Sequence, residues 1–397
     1  MTLISFFYLE SWGNHNTTLR IFVLPNSPNF MTPYILFVLM LFFTGGFVIT
    51  YYLTPVIMNV VKILRLFEKR NERSSHNQMV PSFGGISFFI VFVLALSFAE
   101  QFFITGRAYY MIPAALIIFM IGLKDDLTGV GPRNKIIGQI LATTLLFLSS
   151  DFQITQLYDF IGIYDISIWI SIPLAFAVVI FFINAYNLID GIDGLSSSLA
   201  TFYFVFFAIL YYYRQDYTMM MVCMAFVGMF MAFLRYNLSS DKKIFMGDTG
   251  SMFIGFIISA FVIEIMASDY PTYIKNIPPN NLPHLLIGML YIPVFDSIRI
   301  FIARASEGKS PFAPDRTHIH HLLMDYHGWN HRKTASTIVV INIGICLLVW
   351  QSTVHAPQWA VVSVLLGIGI ILSLYLRNLR RIIEVRKVVK AKKESKN

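Results

Sequence analysis

With 397 residues, of which 56% are hydrophobic, 16% aromatic and only 13% charged, this sequence cannot cover a water-facing surface, which excludes a soluble globular protein. The net charge of +8 comes from 30 Lys and Arg against 22 Asp and Glu, gathered in the connections between long apolar runs. Those runs are continuous rather than weakly alternating segments of about ten residues, which excludes a transmembrane barrel.

A bilayer core of about 30 Å takes about 20 apolar residues as helix, and about eleven stretches qualify, so the sequence predicts an all-α polytopic membrane protein. Residues 1–31 carry no basic n-region and no small-residue cleavage site, and read as an extracytoplasmic segment leading into the first span. The spans are expected at 32–54, 84–104, 108–123, 135–150, 166–184, 195–213, 217–235, 250–267, 284–304, 335–355 and 357–377. Residues 32–377 thus form one transmembrane domain, and residues 378–397 a basic cytoplasmic tail suited to anionic lipid. Cys223 and Cys346 both fall in spans, which argues against a disulfide framework or a zinc site.

Counting connections alternately, almost all Lys and Arg lie on one side; the other holds Arg20, Arg107, Arg214 and Lys275. That asymmetry places the N-terminus outside and the C-terminus in the cytoplasm.

The polar clusters follow the same side. They are Asp125 and Asp126 in GLKDDLTGVGPRNK, the stretch NAYNLIDGIDG at 184–194, Asp248 in FMGDTGS, and PDRTHIHH at 314–321, whereas the outer loops look short or featureless. Carboxylates at helix mouths avoid most of the about 2.5–3.5 kcal/mol cost of a charge at mid-span while staying beside lipid. Asn184, Asn187, Asp190 and Asp193 recur every three residues. As helix they would make a slowly drifting stripe; as loop, Gly191 and Gly194 would let the chain fold around an ion or phosphate. Taken singly, the Asp pair reads as a solvated helix boundary, GDTGS as an N-cap by Asp248 or Thr249, and HIHH as a zinc site or polar patch. DGIDG lacks the alternate acidic ligands and twelfth-position glutamate of a calcium loop.

Together, many carboxylate and amide oxygens with no cysteine nearby favour a hard divalent cation, magnesium first and manganese second. Histidines beside Arg316 favour an anion. Carboxylates for a metal and His/Arg for a diphosphate is the layout of phosphoryl transfer, and no Walker-type loop is present to hold ATP.

Six ordered segments carry a resemblance: SSHNQMVPSFGG, KDD with Lys135 downstream, NAYNLIDGIDGL, FMGDTGSMFIG, IPVFDSIR and SPFAPDRTHIHH. The chain resembles the polyprenyl-phosphate N-acetylhexosamine-1-phosphate transferases, and its HIHH form is similar to the branch that starts O-antigen, common-antigen and teichoic-acid linkage units. The resemblance implies transfer of N-acetylhexosamine-1-phosphate, GlcNAc by default, from a UDP-sugar to undecaprenyl phosphate with release of UMP. It implies a bacterial inner-membrane enzyme with a cytoplasmic active site.

Carried over by position, Asn187 and Asp248 resemble magnesium ligands, Asp125 and Asp126 the paired acids at the lipid phosphate, and Lys135 a group for that phosphate. Asp190 and Asp193 would shape the nucleotide-metal pocket together with Asn184, and Arg316, His318, His320 and His321 would grip the diphosphate. Arg73 and His76 would meet the lipid head group. Asp296, three residues before Arg299, matches a family position without an evident role, a buried ion pair being the plain reading.

A homodimer is compatible with this reading, and no nucleic acid is expected. The rivals are a proton-coupled transporter, which should carry polar groups near mid-membrane in two related halves, a non-enzymatic lipid-phosphate binder, and the muramoyl-pentapeptide transferase, which Leu322 and Leu323 after HIHH disfavour.

Overall fold

A computed structural model describes residues 33–66, 80–160, 162–267, 279–306, 308 and 317–394. Segment 1–31, Arg73, His76 and Arg316 lie outside the described residues.

The chain is an all-α bundle. Its helices are α1 (Pro33–Ile63), α2 (Gly85–Phe102), α3 (Ala108–Thr128), α4 (Pro132–Phe147), α5 (Ile168–Ile189), α6 (Leu195–Tyr213) and α7 (Tyr217–Asn237). There follow α8 (Gly247–Ala267), α9 (Leu282–Met289), α10 (Tyr291–Ser306), α11 (Ile319–His327), α12 (His331–His355) and α13 (Gln358–Glu394). One small antiparallel hairpin, β1 (Gln156–Phe160) with β2 (Ile163–Asp165), pairs Gln156 with Asp165 and Phe160 with Ile163.

Among the described residues, eight helices are long and apolar enough to cross a membrane, or nine if α9 and α10 count as one bent span. This is fewer than the expected eleven. Helix α4 has only 16 residues, and α3 ends on Lys124, Asp125 and Asp126, so their outer turns serve polar contacts.

The stretch expected as one span at 284–304 is broken, with α9 and α10 meeting at 77°. Pro293 has no N–H to donate to the carbonyl of Met289, one turn back. Asn342 of α12 repairs the break: its Nδ2 donates to Met289 O (2.8 Å) and its Oδ1 accepts from Ile292 N (3.1 Å). A buried amide thus satisfies backbone groups that lipid could not.

Helix α8 is the axis of the molecule, buried along almost its whole length. Its phenylalanines interlock with those of α6 and α7: Phe204 stacks on Phe226 with centroids 4.4 Å apart, and Phe253 meets Phe226 at 6.4 Å. Helices α1 and α7 touch backbone to backbone, because a Cβ on Gly46 would come within 2.1 Å of Ala225 O and one on Gly228 within 2.0 Å of Phe43 O. Charge in α8 is confined to its two ends, Asp248 and Glu264.

The end marked by Glu264 corrects the expectation of featureless outer loops. There Arg107 at the start of α3 pairs with Asp216 and with Glu264 (2.8 Å), Tyr211 Oη donates to Glu264 (2.8 Å), and Arg214 lies 3.5 Å from it. Tyr211, Arg214 and Asp216 share one short stretch, but Arg107 and Glu264 lie far from it in sequence, and antiparallel packing brings them together. Cys223 and Cys346 are buried, free thiols.

Candidate active site

At the opposite end of the bundle, the C-termini of α3 and α5 meet the N-termini of α4, α6, α8 and α12. The focus is the start of α8. Gly247 opens it at φ +74°, where a Cβ would sit 1.9 Å from Ser82 O, so only glycine fits. The preceding strand-like stretch is pinned to the PSFGG segment by Phe245 N to Pro81 O (2.8 Å), Gly84 N to Phe245 O (3.0 Å) and Gly85 N to Met246 O (3.1 Å). The described part of the expected lipid-entry loop is therefore a brace for FMGDTG.

The N-cap of α8 comes from another helix, not from Asp248 or Thr249. Asp126 accepts from the backbone N–H groups of Asp248 (2.8 Å) and Thr249 (2.9 Å) and from the Thr249 hydroxyl. Its carboxylate meets orphan amides at the positive end of the helix dipole. The adjacent Asp125 turns elsewhere, accepting from Val130 N (2.6 Å) and pairing with Lys135.

Lys135 joins two predicted roles in one contact, since its Nζ also lies 2.9 Å from Asp248 Oδ2. The other oxygen, Oδ1, accepts from Asn187 Nδ2 (2.8 Å), which also donates to Ser251 Oγ (2.8 Å). Asp125, Lys135, Asn187 and Asp248 thus form one connected set, and the Asp248 side chain remains 34% exposed toward open space.

The NAYNLIDGIDG stretch is half helix and half turn. Asn187 stays on α5, which ends at Ile189, while Asp190 and Asp193 lie in the turn before α6. Asn184 leaves the stripe: its Nδ2 donates to Ile180 O (2.6 Å) and Gln139 Oε1 (3.3 Å), tying α5 to α4. Asp190 accepts from the Ser196 hydroxyl. Burial, opposed by that hydrogen bond and reinforced by the charges of Asp126 and Asp193, pushes its carboxyl up to about 7. Asp193 is half-buried, and against that burial hydrogen bonds from His331 Nδ1 (2.7 Å) and Lys243 Nζ (2.7 Å) hold it below the ordinary carboxylate range.

The raised Asp190 value has a thermodynamic consequence. Asp190 holds its proton more tightly folded than unfolded, so its stabilisation is complete below the ordinary carboxylate range and is lost as pH rises through 7. Thermal melts in chelator should show stability falling between about pH 4 and 7 and levelling off above that, and Asp190→Asn should flatten that slope.

The histidine motif is organised by Asp296, whose role sequence could not specify. Asp296 accepts from Arg299 Nη2 (2.7 Å) and from Ile319 N (3.2 Å) at the start of α11, and its Oδ2 lies 2.9 Å from His318 Nδ1. The buried ion pair therefore also fixes the orientation of His318. His320 is buried, and neither ring nitrogen has a partner among the described residues. Burial, with the neighbouring His321, pushes it down to about 3, so it is a neutral imidazole. The His320 and His321 rings stand 4.3 Å apart.

His320 also ties the two loops together. A Cβ on Gly191 would sit 2.4 Å from its Nε2, so the DGIDG turn rests on the histidine helix. Gly191→Ala should lower kcat/KM by about tenfold or more by displacing that ring, and should cost little further in a His320→Ala background; a double-mutant cycle reads the coupling.

Comparison with known proteins meets this geometry. The glycosyl transferase family 4 model matches residues 108–266, the span from α3 to the end of α8 that carries Asp125, Asp126, Lys135, Asn187, Asp190, Asp193 and Asp248. Over that span the chain is similar to glycosyl transferase family 4.

Among its relatives is the undecaprenyl-phosphate alpha-N-acetylglucosaminyl 1-phosphate transferase of Yersinia pestis, 29% identical over 76% of this chain and 81% of that protein. The Escherichia coli K12 protein of the same name is 26% identical over 77% and 82%. A Bacillus subtilis protein named probable undecaprenyl-phosphate N-acetylglucosaminyl 1-phosphate transferase is 27% identical over 73% and 78%.

Two groups of the site, Lys243 and His331, escaped the sequence reading, and Ser251 and Gln139 lay in or beside the motifs without a role assigned; His331, ten residues past HIHH, is the one a search for nearby polar residues would have reached.

Proposed function

We propose that the transferase moves N-acetylhexosamine-1-phosphate, GlcNAc-1-phosphate first, from a UDP-sugar to undecaprenyl phosphate, releasing UMP and starting a lipid-linked envelope polysaccharide. The observation that carries this reading is Lys135 bridging Asp125 and Asp248 at the capped start of α8, with Asn187 on the same carboxylate. The names of the relatives support the same transferred group and acceptor.

An oxygen of the lipid phosphate attacks the phosphorus that carries the sugar. The bond from that phosphorus to the bridging oxygen breaks, and UMP departs with the electron pair. A phosphate monoester has its second pKa near 6, so the nucleophile is already mostly dianionic at neutral pH and hardly needs a general base. Asp125 accordingly positions Lys135, and the Lys135 ammonium meets the incoming phosphate. His320, neutral and unpartnered, offers a ring nitrogen to a diphosphate oxygen, with His318 and His321 beside it.

The residues fit magnesium. Asp248, accessible on one side, and the carbonyl oxygen of Asn187 would be its protein ligands, and among the described residues no group of three His, Cys, Asp or Glu gathers to hold an ion alone. Magnesium characteristically takes one or two protein ligands and completes its shell with substrate phosphates and water. Bound there, it would neutralise charge on the diphosphate. We place this end of the bundle in the cytoplasm, where nucleotide sugars are made, because the Lys and Arg asymmetry favours it.

The test is UMP release by purified protein given undecaprenyl phosphate, magnesium and a panel of UDP-sugars. Release with UDP-GlcNAc that needs both lipid and metal supports the reading; no release with any UDP-sugar from folded protein would sink it.

A further inference from the structure

The bent helix pair forms one wall of a cavity that the transfer chemistry leaves unused. It is a groove of about 550 Å³ between α9–α10 and α13, lined mostly by apolar side chains such as Ile298, Ile302, Leu366 and Ile370. These four remain largely exposed, so the groove opens sideways, where lipid would be. Along α13 it runs from Val362 to Arg377, about 22 Å at 1.5 Å per residue. Its walls are joined where Tyr291 Oη donates to Leu365 O (2.7 Å), so the groove is preformed.

One end is cationic. Arg299 and Arg377 line it, and Arg377 is exposed. Arg299 spends Nη2 on Asp296 and on Thr317 O (2.6 Å), while its buried Nε has no partner among the described residues. A long apolar groove ending in two guanidinium groups matches an amphiphile with hydrocarbon chains and a phosphate head.

We propose that this groove binds an anionic phospholipid of the bilayer, one chain lying along α10 and α13 and the phosphate against Arg299 and Arg377. The occupant is a structural lipid rather than the acceptor. Asp125, Lys135, Asn187 and Asp248 stand on α3, α4, α5 and α8, and no residue of those helices lines the groove. The head group is instead one side chain away from the histidine motif, because Arg299 holds Asp296, which orients His318. Occupancy thus fixes Arg299 and, through Asp296, the ring that meets the diphosphate. The effect on turnover rests on the transferase reading above; the binding does not.

The experiment uses the full chain. Native mass spectrometry with phosphatidylglycerol and phosphatidylcholine as probes reads binding, and UMP release in phosphatidylcholine nanodiscs with added phosphatidylglycerol reads turnover. The variants are Arg377→Gln and Leu366→Trp, both at exposed positions. The wild type should retain phosphatidylglycerol over phosphatidylcholine by about fivefold, and either variant should lose that preference. Phosphatidylglycerol should raise wild-type kcat severalfold and leave the variants unmoved, with the KM for undecaprenyl phosphate unchanged throughout.

Equal retention of the two lipids, or variants that bind as the wild type does, would overturn the proposal. Displacement of phosphatidylglycerol by undecaprenyl phosphate, with a raised acceptor KM in the variants, would also overturn it, because the groove would then be the acceptor's. Selective binding that is lost in the variants, from folded protein that releases no UMP, would uphold the groove and count against the transferase reading alone.

Discussion

Replacing Asp248 by alanine is expected to lower kcat/KM for UMP release by at least about 10³-fold while leaving the melting temperature almost unchanged. Asp248 is the residue on which Lys135 and Asn187 converge, with Oδ2 facing the first and Oδ1 the second. Its carboxylate is partly exposed and contributes little packing, so removal should cost chemistry rather than fold. The loss should not be recovered by raising magnesium, because the fixed anion that arranges both partners is gone. Lys135→Ala should behave alike at the acceptor, with a loss that persists at pH 8, where the lipid phosphate is fully dianionic. Assaying both variants against pH separates positioning from base catalysis. A rate for Asp125→Asn that approaches wild type above pH 8 but fails at pH 6 would restore the base role to Asp125.

Asp126→Ala should do the reverse, destabilising the protein by about 2–3 kcal/mol in a melt in detergent as well as lowering the rate. Its carboxylate takes two backbone amides and a hydroxyl at the start of α8, the most enclosed helix of the bundle. Without it the Asp248 and Thr249 amides lose their acceptor at the positive end of a long helix, and Thr249 is fully buried. Asp126→Asn should be intermediate, since one amide oxygen still accepts while its NH₂ opposes an N–H. An Asp126→Ala protein that melts like wild type would refute the capping role. Adjacent acids in one KDD motif are thus expected to separate cleanly, one into chemistry and one into stability.

That separation shows where sequence reading stops. Hydropathy exposed the helical membrane architecture, because lipid admits few spanning structures and the helical one needs long apolar runs. The motifs pointed to the chemistry proposed above, because carboxylates, amides and histidines beside apolar runs are costly and few residue types would hold a diphosphate and a metal. Both signals are local, carried by neighbours in the chain.

What Asp126, Asn184 and Asp296 do was not legible, since each acts on a partner far away in sequence. Asp126 caps a helix that begins more than a hundred residues later, Asn184 turns aside to Gln139, and Asp296 orients a histidine at the start of the next helix. The break inside the stretch expected as one span at 284–304 was equally hidden, because it is Asn342 from α12 that satisfies the backbone at Met289 and Ile292. The ion-pair network around Glu264 was invisible because Arg107, the stretch from Tyr211 to Asp216, and Glu264 are far apart in sequence. Sequence determined the solvent, the helical class and the residue types gathered at the site, all set by composition and short-range pattern. Only the tertiary structure decided which acid faces the open site and which binds backbone, because a hydrogen bond depends on distances of about 3 Å that packing alone creates.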